Sequence, residues 1–431
     1  MKTTFTATGD SFITRHLPEG GYDGFEELRS LILGHDFRFA NLEMTFHNQE
    51  GYPSAASGGT WAMTDPAMLD DVRRFGFNAY NTANNHSGDF GQGGVLATKR
   101  HLEARGMAFT GTGASLQEAS RPLYIETKEA RVAMIGLTST FDPAARAGAQ
   151  SGDMTGRPGL NPLRFKTLYH VNAEHFAMAE ELARVTLVNW PIEHKIKFGY
   201  AAPFPEGRMP FGKLDFVRDE REFIETIPNA QDLERTVAGI REAKRQADIV
   251  VVSLHAHEMR GMDTNTPAEF VEKFARACID AGASAVIGHG PHELRGIELY
   301  KGGVIFYSLG NFIFETETTA LQPADAYESM GLPATTQTGE FMDRRSRGGT
   351  IGFPVIAKFW QAVVPSWTVE DGRITEVKLY PLELGQKLPR GDRGLPRLSR
   401  DGSVLKYLAE LSAPYGTEIR IEGGAGRVVL P

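Results

Sequence analysis

Apolar strands alternate with amphipathic helices along this chain, and a polar or ionisable side chain closes nearly every strand. That recurrence constrains the fold more than any single motif. In an open α/β sheet, ligands collect in the crevice beyond the carboxyl ends of the strands, so residues at those ends share one rim however distant they are in the chain. Thr3–Gly9 reads as a strand and delivers Asp10; Phe37–Leu42 delivers Glu43; Phe77–Thr82 runs into Ala83-Asn84-Asn85-His86. Ile249–Leu254 is strongly apolar and leads to His255-Ala256-His257, and Ser284–Ile287 leads to Gly288-His289-Gly290-Pro291-His292. Each residue has an ordinary explanation when taken alone. An Asp after a Gly suits a turn or a helix cap, Glu43 a solvated surface charge, and an Asn-His pair a loop. Five such placements at corresponding strand ends are hard to obtain independently, and as a set they point to an active site.

Helices and hairpins fill in the layers between these strands. Gly24–Leu33, Pro66–Phe75 and Gly93–Arg105 read as helices, as do Asn229–Gln246 and Pro267–Ala281; Pro66 sits near a helix start and Gly76 acts as a stop. Leu123–Glu126 with Arg131–Leu137, and Gly296–Tyr300 with Val304–Tyr307, read as hairpins. This order predicts an α/β layered domain with a mixed sheet. Two stretches break the rhythm. One spans about 141–228 and has Ala173–Arg184 as its one clear helix; the other spans about 316–356 and holds Met342-Asp343-Arg344-Arg345-Ser346-Arg347. Long irregular insertions of this kind serve as lids or binding loops, or else are mobile surface. Strand-like alternation returns from Thr368 to Pro431, with a short helix over Ser403–Leu411. The expected organisation is one domain over residues 1–370 that carries both insertions, with a 371–431 extension packed on it.

Composition removes several function classes. The 431 residues, 41% of them hydrophobic, are ample for a large core. A formal net charge of −8 leaves no uniform basic field for gripping nucleic acid. The single cysteine, Cys278, cannot close an internal disulfide, and its place in the apolar helical run Phe270–Ala281 reads as a buried structural thiol. No apolar run reaches about 18 residues, and no basic-then-apolar leader precedes the first strand. A cytoplasmic chain is expected, with neither membrane nor nucleic acid as partner.

The donor types at the strand ends suit metal. Carboxylate, amide oxygen and neutral imidazole together fit Mn, Fe or Zn better than Ca or Mg. Two such ions about 3.5–4 Å apart activate water and stabilise an oxyanion.

The same residues, in the same order, resemble the bacterial capsule-synthesis CapA family, also called the poly-γ-glutamate synthesis family, over nearly the whole chain. The resemblance is carried by Gly9-Asp10, Asn41-Leu42-Glu43, Ala83-Asn84-Asn85-His86 with Asp89 and Gly91, Ser253-Leu254-His255 and Gly288-His289-Gly290-Pro291-His292. It continues through Tyr307-Ser308-Leu309-Gly310-Asn311-Phe312 and Leu411-Ser412-Ala413-Pro414-Tyr415-Gly416-Thr417. That family is similar to the calcineurin-like metallophosphoesterases, and the resemblance implies a two-layer mixed β-sandwich flanked by helices (α-β-β-α). It also implies Asp10, Glu43, Asn85, His255 and His289 as metal ligands, with Asp10, His86 and His292 as catalytic groups. Three departures from the phosphoesterase pattern stand out. Phe12 occupies the place of a histidine two residues after the first aspartate, Glu43 replaces an aspartate, and the last pair is His-x-x-His rather than His-x-His. They leave the count of ions at two, one or none, with His257 as a substitute ligand.

The site admits three functions. One is a metal-assisted hydrolase of a phosphoester or of an amide such as a γ-glutamyl linkage. Another is a metal-independent epimerase that inverts an α-carbon of a peptide or acyl-amino acid, with Asp10 and His292 as acid and base on its opposite faces. The third is a non-catalytic protein that binds an anionic polymer or assists capsule assembly. Arg164, Arg260 and Arg295 are candidates to hold a substrate carboxylate bidentately. In every case the partner is a small molecule, a peptide or an anionic polymer.

Overall fold

A computed structural model describes residues 1–431. Sixteen strands build its two central sheets. In chain order they are β1 (Lys2–Phe12), β2 (Phe37–Leu42), β3 (Ala79–Asn81), β4 (Phe109–Thr110), β5 (Leu123–Glu126), β6 (Arg131–Thr138), β7 (Ile249–His255), β8 (Ala285–His289), β9 (Leu294–Tyr300), β10 (Gly303–Leu309), β11 (Asn311–Phe314), β12 (Gln361–Glu370), β13 (Arg373–Glu383), β14 (Arg397–Leu398), β15 (Ile419–Glu422) and β16 (Ala425–Val428). The larger sheet runs β15-β16-β13-β12-β1-β2-β3-β4, with β11 added on β1 and β14 on β13; the smaller runs β9-β10-β8-β7-β6-β5. Both are mixed. β1 through β4 are parallel neighbours, as are β6, β7, β8 and β10, while β12, β13, β5 and β9 join antiparallel.

The layers follow from which faces are apolar. β7 is buried at every position, which explains its unbroken apolar run: a central parallel strand is covered on both sides. Between the sheets lies one core that takes Phe5 and Phe39 from the larger sheet and Val251, Ile287 and Phe306 from the smaller. Trp367 of β12 stacks on Phe5 at 5.1 Å and meets Phe306 at 5.5 Å, tying the two sheets together. Helices cover both outer faces. Phe25–Leu33 and Met68–Arg73 pack on the larger sheet, and Ala230–Lys244 and Glu269–Asp280 on the smaller. The Glu269–Asp280 helix buries Phe270, Phe274 and Cys278 at i, i+4, i+8, so the thiol is part of the apolar stripe. These are the four α-β-β-α layers expected. No helix is long and apolar enough to cross a membrane.

Several expectations need correction. The 141–228 stretch is not irregular beyond its first part. Phe165–Val171, Arg208–Phe211, Leu214–Arg218 and Phe223–Pro228 form a separate four-stranded sheet, with helices Ala173–Thr186 and Trp190–Lys197 beside it. Its strands show few fully buried positions, so the alternation that signals a strand is faint. The 316–356 stretch contains two short helices, Ala324–Ser329 and Thr338–Ser346. Residue 371 falls in the turn of the long β12–β13 hairpin, and β13 and β16 extend the same sheet as β1.

Candidate metal centre

Register brings the site together. In the larger sheet Asp10 is paired with Asn41 and Asn41 with Asn81; in the smaller, His255 is paired with both Thr138 and His289. Two rows of polar side chains therefore meet at one rim of the sandwich. Asp10 lies inside β1 rather than after it, at the point where the strand changes partner. Lys2–Thr6 pair with β12, and Asp10–Phe12 pair with β11. The Gly before it is required: a Cβ on Gly9 would stand 1.8 Å from the Gly310 carbonyl oxygen, which accepts the Asp10 N–H. The Gly-Asp and Leu-Gly-Asn motifs are thus two halves of one contact.

Around this rim lie two groups of ligand-type atoms. Asp10, His255 and His289 form one, all fully buried; Glu43, His257 and His292 form the other. Asp10 Oδ1 is 3.5 Å from His255 Nδ1 and 3.4 Å from His289 Nδ1, which are 3.0 Å from each other. Glu43 Oε1 lies 3.8 Å from His255 Nε2 and 3.7 Å from His292 Nε2. His255 joins the groups, because its Nε2 is also 3.0 Å from His257 Nε2. Neither oxygen of Glu43 has a hydrogen-bond partner, and neither does Asn85 Oδ1, although all three are buried. Buried carboxylate oxygens are almost always satisfied, so the two of Glu43, with Oε1 within 4.0 Å of His86, His255 and His292, leave a place for a cation or a donor. A divalent transition ion fits that place, and the imidazole, carboxylate and amide donors match it.

Surrounding residues fix which atoms face inward. Asn311 Nδ2 donates to the carbonyls of His292 and Phe359, so its Oδ1 accepts from His292 Nδ1 across 2.9 Å. His292 Nε2 is then the lone-pair nitrogen facing Glu43. The same clamp holds His292 at φ 61°, a left-handed conformation costly for a non-glycine residue. Asp89 accepts N–H groups from Gly58 and Ala62 and engages His86 Nδ1 at 2.8 Å. His86 Nε2 is left facing Glu43 Oε1 at 4.0 Å. Ser253 Oγ holds His289 Nε2 at 2.8 Å, leaving Nδ1 toward Asp10. Asp10 itself accepts from Asn41 Nδ2 and from the Gly290 N–H; a Cβ on Gly290, at φ 119°, would stand 2.9 Å from the Ala256 nitrogen.

Burial and charge set the protonation states. Burial raises the Asp10 carboxyl, but hydrogen bonds with His255 and His289 outweigh it and hold the group well below the usual carboxylate range. Burial, reinforced by Asp10 and Asp89, pushes Glu43 well above that range. Burial pushes His255 down to about 4 and lowers His257 and His292 as well, so these imidazoles are neutral near pH 7, the form that ligates metal.

The structure brings together Asp10, Glu43, His86, His255, His289 and His292, and it orients Asn85 by a bond from its Nδ2 to the Gly58 carbonyl. Asp10 Oδ2 and His292 Nδ1 are 3.7 Å apart. That nitrogen is the one held by Asn311, and the nitrogen His292 turns inward is Nε2. Phe12, at the place of the expected histidine, packs edge-on against the His86 ring at 5.5 Å. The three expected arginines are engaged elsewhere. Arg164 pairs with Asp232, Arg260 with Glu272, and the buried Arg295 donates to the carbonyls of Thr264, Ala256, Glu258 and His257, bracing the loop that carries His257. Sequence reasoning did not single out Asn41, Ser253, Asp89 or Asn311 for these roles. Each lies within a quoted motif, and its signal was the strand alternation that puts Ser253 on the same face as His255.

A family model described as bacterial capsule synthesis protein PGA_cap matches residues 4–316. The chain belongs to this family. PGA_cap relatives include an uncharacterized protein, y4sH, of Sinorhizobium fredii, 32% identical over 99% of this chain and 93% of its own length. The capsule biosynthesis protein CapA of Bacillus anthracis is 24% identical over 73% of this chain, and the PGA biosynthesis protein CapA of Bacillus subtilis 25% over 68%. The matched region spans 60% and 56% of those two proteins. Among solved structures, a putative 5'-nucleotidase from Staphylococcus aureus aligns over 95% of this chain and 58% of its own, with a TM-score of 0.40 and 11% identity. The four layers described above are the α-β-β-α architecture that the resemblance to the calcineurin-like metallophosphoesterases implied.

Proposed function

We propose that this chain is a metal-assisted hydrolase whose substrate presents a phosphoester or an amide such as a γ-glutamyl linkage. One observation carries the reading: two adjoining histidine–carboxylate groups share one rim, and both oxygens of the buried Glu43 within them are unpartnered. Asp10, His255 and His289 would hold one ion, and Glu43, Asn85, His257 and His292 a second. A bound ion of this kind supplies Lewis-acid polarisation and a lowered pKa for water.

The chain's own residues do the rest. Asp10 stays ionised in a fully buried position through the hydrogen bonds around it. His86, once it carries a proton on both nitrogens, would offer its Nε2–H to a leaving group, because Asp89 occupies its Nδ1 and Phe12 packs edge-on against the ring. Asn311 keeps His292 Nε2 aimed inward. The names of the Bacillus relatives, which speak of capsule and PGA biosynthesis, favour the γ-glutamyl amide over the phosphoester.

Protein purified without chelator should carry at least one equivalent of Mn, Fe or Zn, and should cleave a γ-glutamyl oligomer or an aryl phosphate in a chelator-sensitive reaction. Less than about half an equivalent of metal, with turnover indifferent to chelator, rejects the proposal. Asp10→Ala in folded protein should abolish both metal and turnover.

A further inference from the structure

We propose that Arg345, with the cavity it lines beside the candidate metal centre, binds a carboxylate carried on a short apolar arm of the substrate; this rests on the hydrolase reading above and names what its substrate must present. Arg345 sits in the second insertion, on the helix Thr338–Ser346. The cavity has a volume of about 240 Å³, and Thr316, Met342, Ser346, Ile351 and Phe353 are among its walls.

Two contacts place this cavity against the site. Phe353 meets the His292 ring at 5.7 Å and Phe314 at 4.9 Å. On the other side Arg345 Nη2 donates to the Gly59 carbonyl at 3.3 Å, one residue from Gly58, whose carbonyl holds Asn85 Nδ2. Arg345 therefore bridges the insertion to the loop that orients Asn85.

Its charge is what calls for a ligand. The neighbouring acids are taken: Glu317 pairs with Arg393 and Arg390, and Asp343 with Arg390. The Gly59 carbonyl is the acceptor Arg345 engages, whereas the buried Arg295 spends its guanidinium on four carbonyls. Burial also lowers the Arg345 guanidinium from its ordinary value. A half-buried guanidinium whose acceptor in the structure is one backbone carbonyl keeps its remaining N–H donors free for an anion.

The lining selects the anion. One uncompensated guanidinium with a planar fork matches one carboxylate. Glu317 on the same wall opposes a phosphate dianion. Met342, Ile351 and Phe353 accept hydrocarbon next to the charge, and the Thr316 and Ser346 hydroxyls are at hand for a second oxygen.

Calorimetry with 3-phenylpropionate, 3-phenylpropanamide and phenyl phosphate tests this on the full chain, with metal present and after chelation. The carboxylate should bind wild type in both metal states, and should bind more tightly than either the amide or the phosphate. Arg345→Met should weaken it at least about tenfold. The same variant should keep or raise the melting temperature, since it removes an unpaired charge. Absence of carboxylate binding, equal binding by the variant, preference for the phosphate, or binding only with metal present would each overturn the assignment. So would a variant that melts several degrees lower, which marks a structural role. Carboxylate binding that survives in protein found to lack metal would instead separate this proposal from failure of the hydrolase reading.

Discussion

Ser253 is aimed at no reactant, yet its hydroxyl holds His289 Nε2 at 2.8 Å and so decides which imidazole nitrogen faces Asp10. Outer partners of this kind typically govern metal affinity by ten- to a hundredfold. Ser253→Ala should therefore weaken zinc binding by about that factor in a competition titration while leaving the melting temperature nearly unchanged; unaltered affinity would show that the hydroxyl does not orient His289. A second residue-scale effect lies away from the centre. His47 is buried against Phe90, with ring centroids 4.9 Å apart, and burial pushes its imidazole down to about 4. The unfolded chain takes up that proton near pH 6.5, so the contribution of His47 is complete above pH 6.5 and is lost as pH falls toward 4. The loss is on the order of 3 kcal/mol. His47→Phe should flatten the decline of urea-melt midpoints between pH 6.5 and 4.5, and an unchanged decline would exclude His47 as its source. The site residues were legible because strands of period two deposit polar groups at one rim. Arg295 was misread as a substrate ligand because its partners are backbone carbonyls some thirty to forty positions upstream, which leave no trace in residue types. Arg345 went unremarked within its basic run for the complementary reason: what distinguishes it is the lack of an acidic partner.

At the scale of elements, the insertion over Phe165–Pro228 behaves as an appendage. Its own buried cluster is small, Phe176, Ala183 and Met209, and its first and last strands pair with each other, so its two ends leave the main body side by side. Thr167 and Thr226 are register partners in that pairing. Replacing Leu168–Glu225 by Asn-Gly closes a two-residue hairpin at a position suited to a type I′ turn. It keeps Thr226 Oγ1 as acceptor for the Phe270 N–H and retains the Phe165–Phe270 stack at 4.2 Å. The shortened protein should fold cooperatively, melt within roughly 5 °C of the parent, a shift of about 1–2 kcal/mol, and bind metal equally well. A molten product would mean that this small sheet carries part of the main core. The central strands were readable from sequence because burial on both faces makes them uniformly apolar. Those of the insertion were not, because most of their side chains are half-buried or exposed and alternate weakly. Asp10 was placed just past its strand for a related reason. Its side chain is polar, and only the partner change from β12 to β11 explains why the strand continues through it to Phe12.

For the whole molecule, the region that matches the family model and the region that folds are different lengths. The match ends at residue 316, but the larger sheet is completed by strands that come after it. β12 pairs with Lys2–Thr6, so the two ends of the chain close on each other, and Trp367, Val369, Val377, Leu379, Leu405 and Leu408 belong to the core between the sheets. Fully burying each such aliphatic or aromatic side chain contributes about 1.5–3 kcal/mol, so losing six forfeits roughly 9–18 kcal/mol, as much as the entire net stability of a typical domain. A chain ending at Ile356 should therefore show no cooperative melt and should bind hydrophobic dyes. Exposure of the β1 edge would add a tendency to aggregate. The centre should vanish with the fold, since Asp10 is held where β1 crosses from β12 to β11, and metal uptake by the truncated chain should fall to background. A sharp thermal transition in that chain would mean that the first 356 residues are self-sufficient and that the C-terminal strands only decorate them. The convergence of Asp10, His255 and His289 would then owe nothing to closure of the sheet.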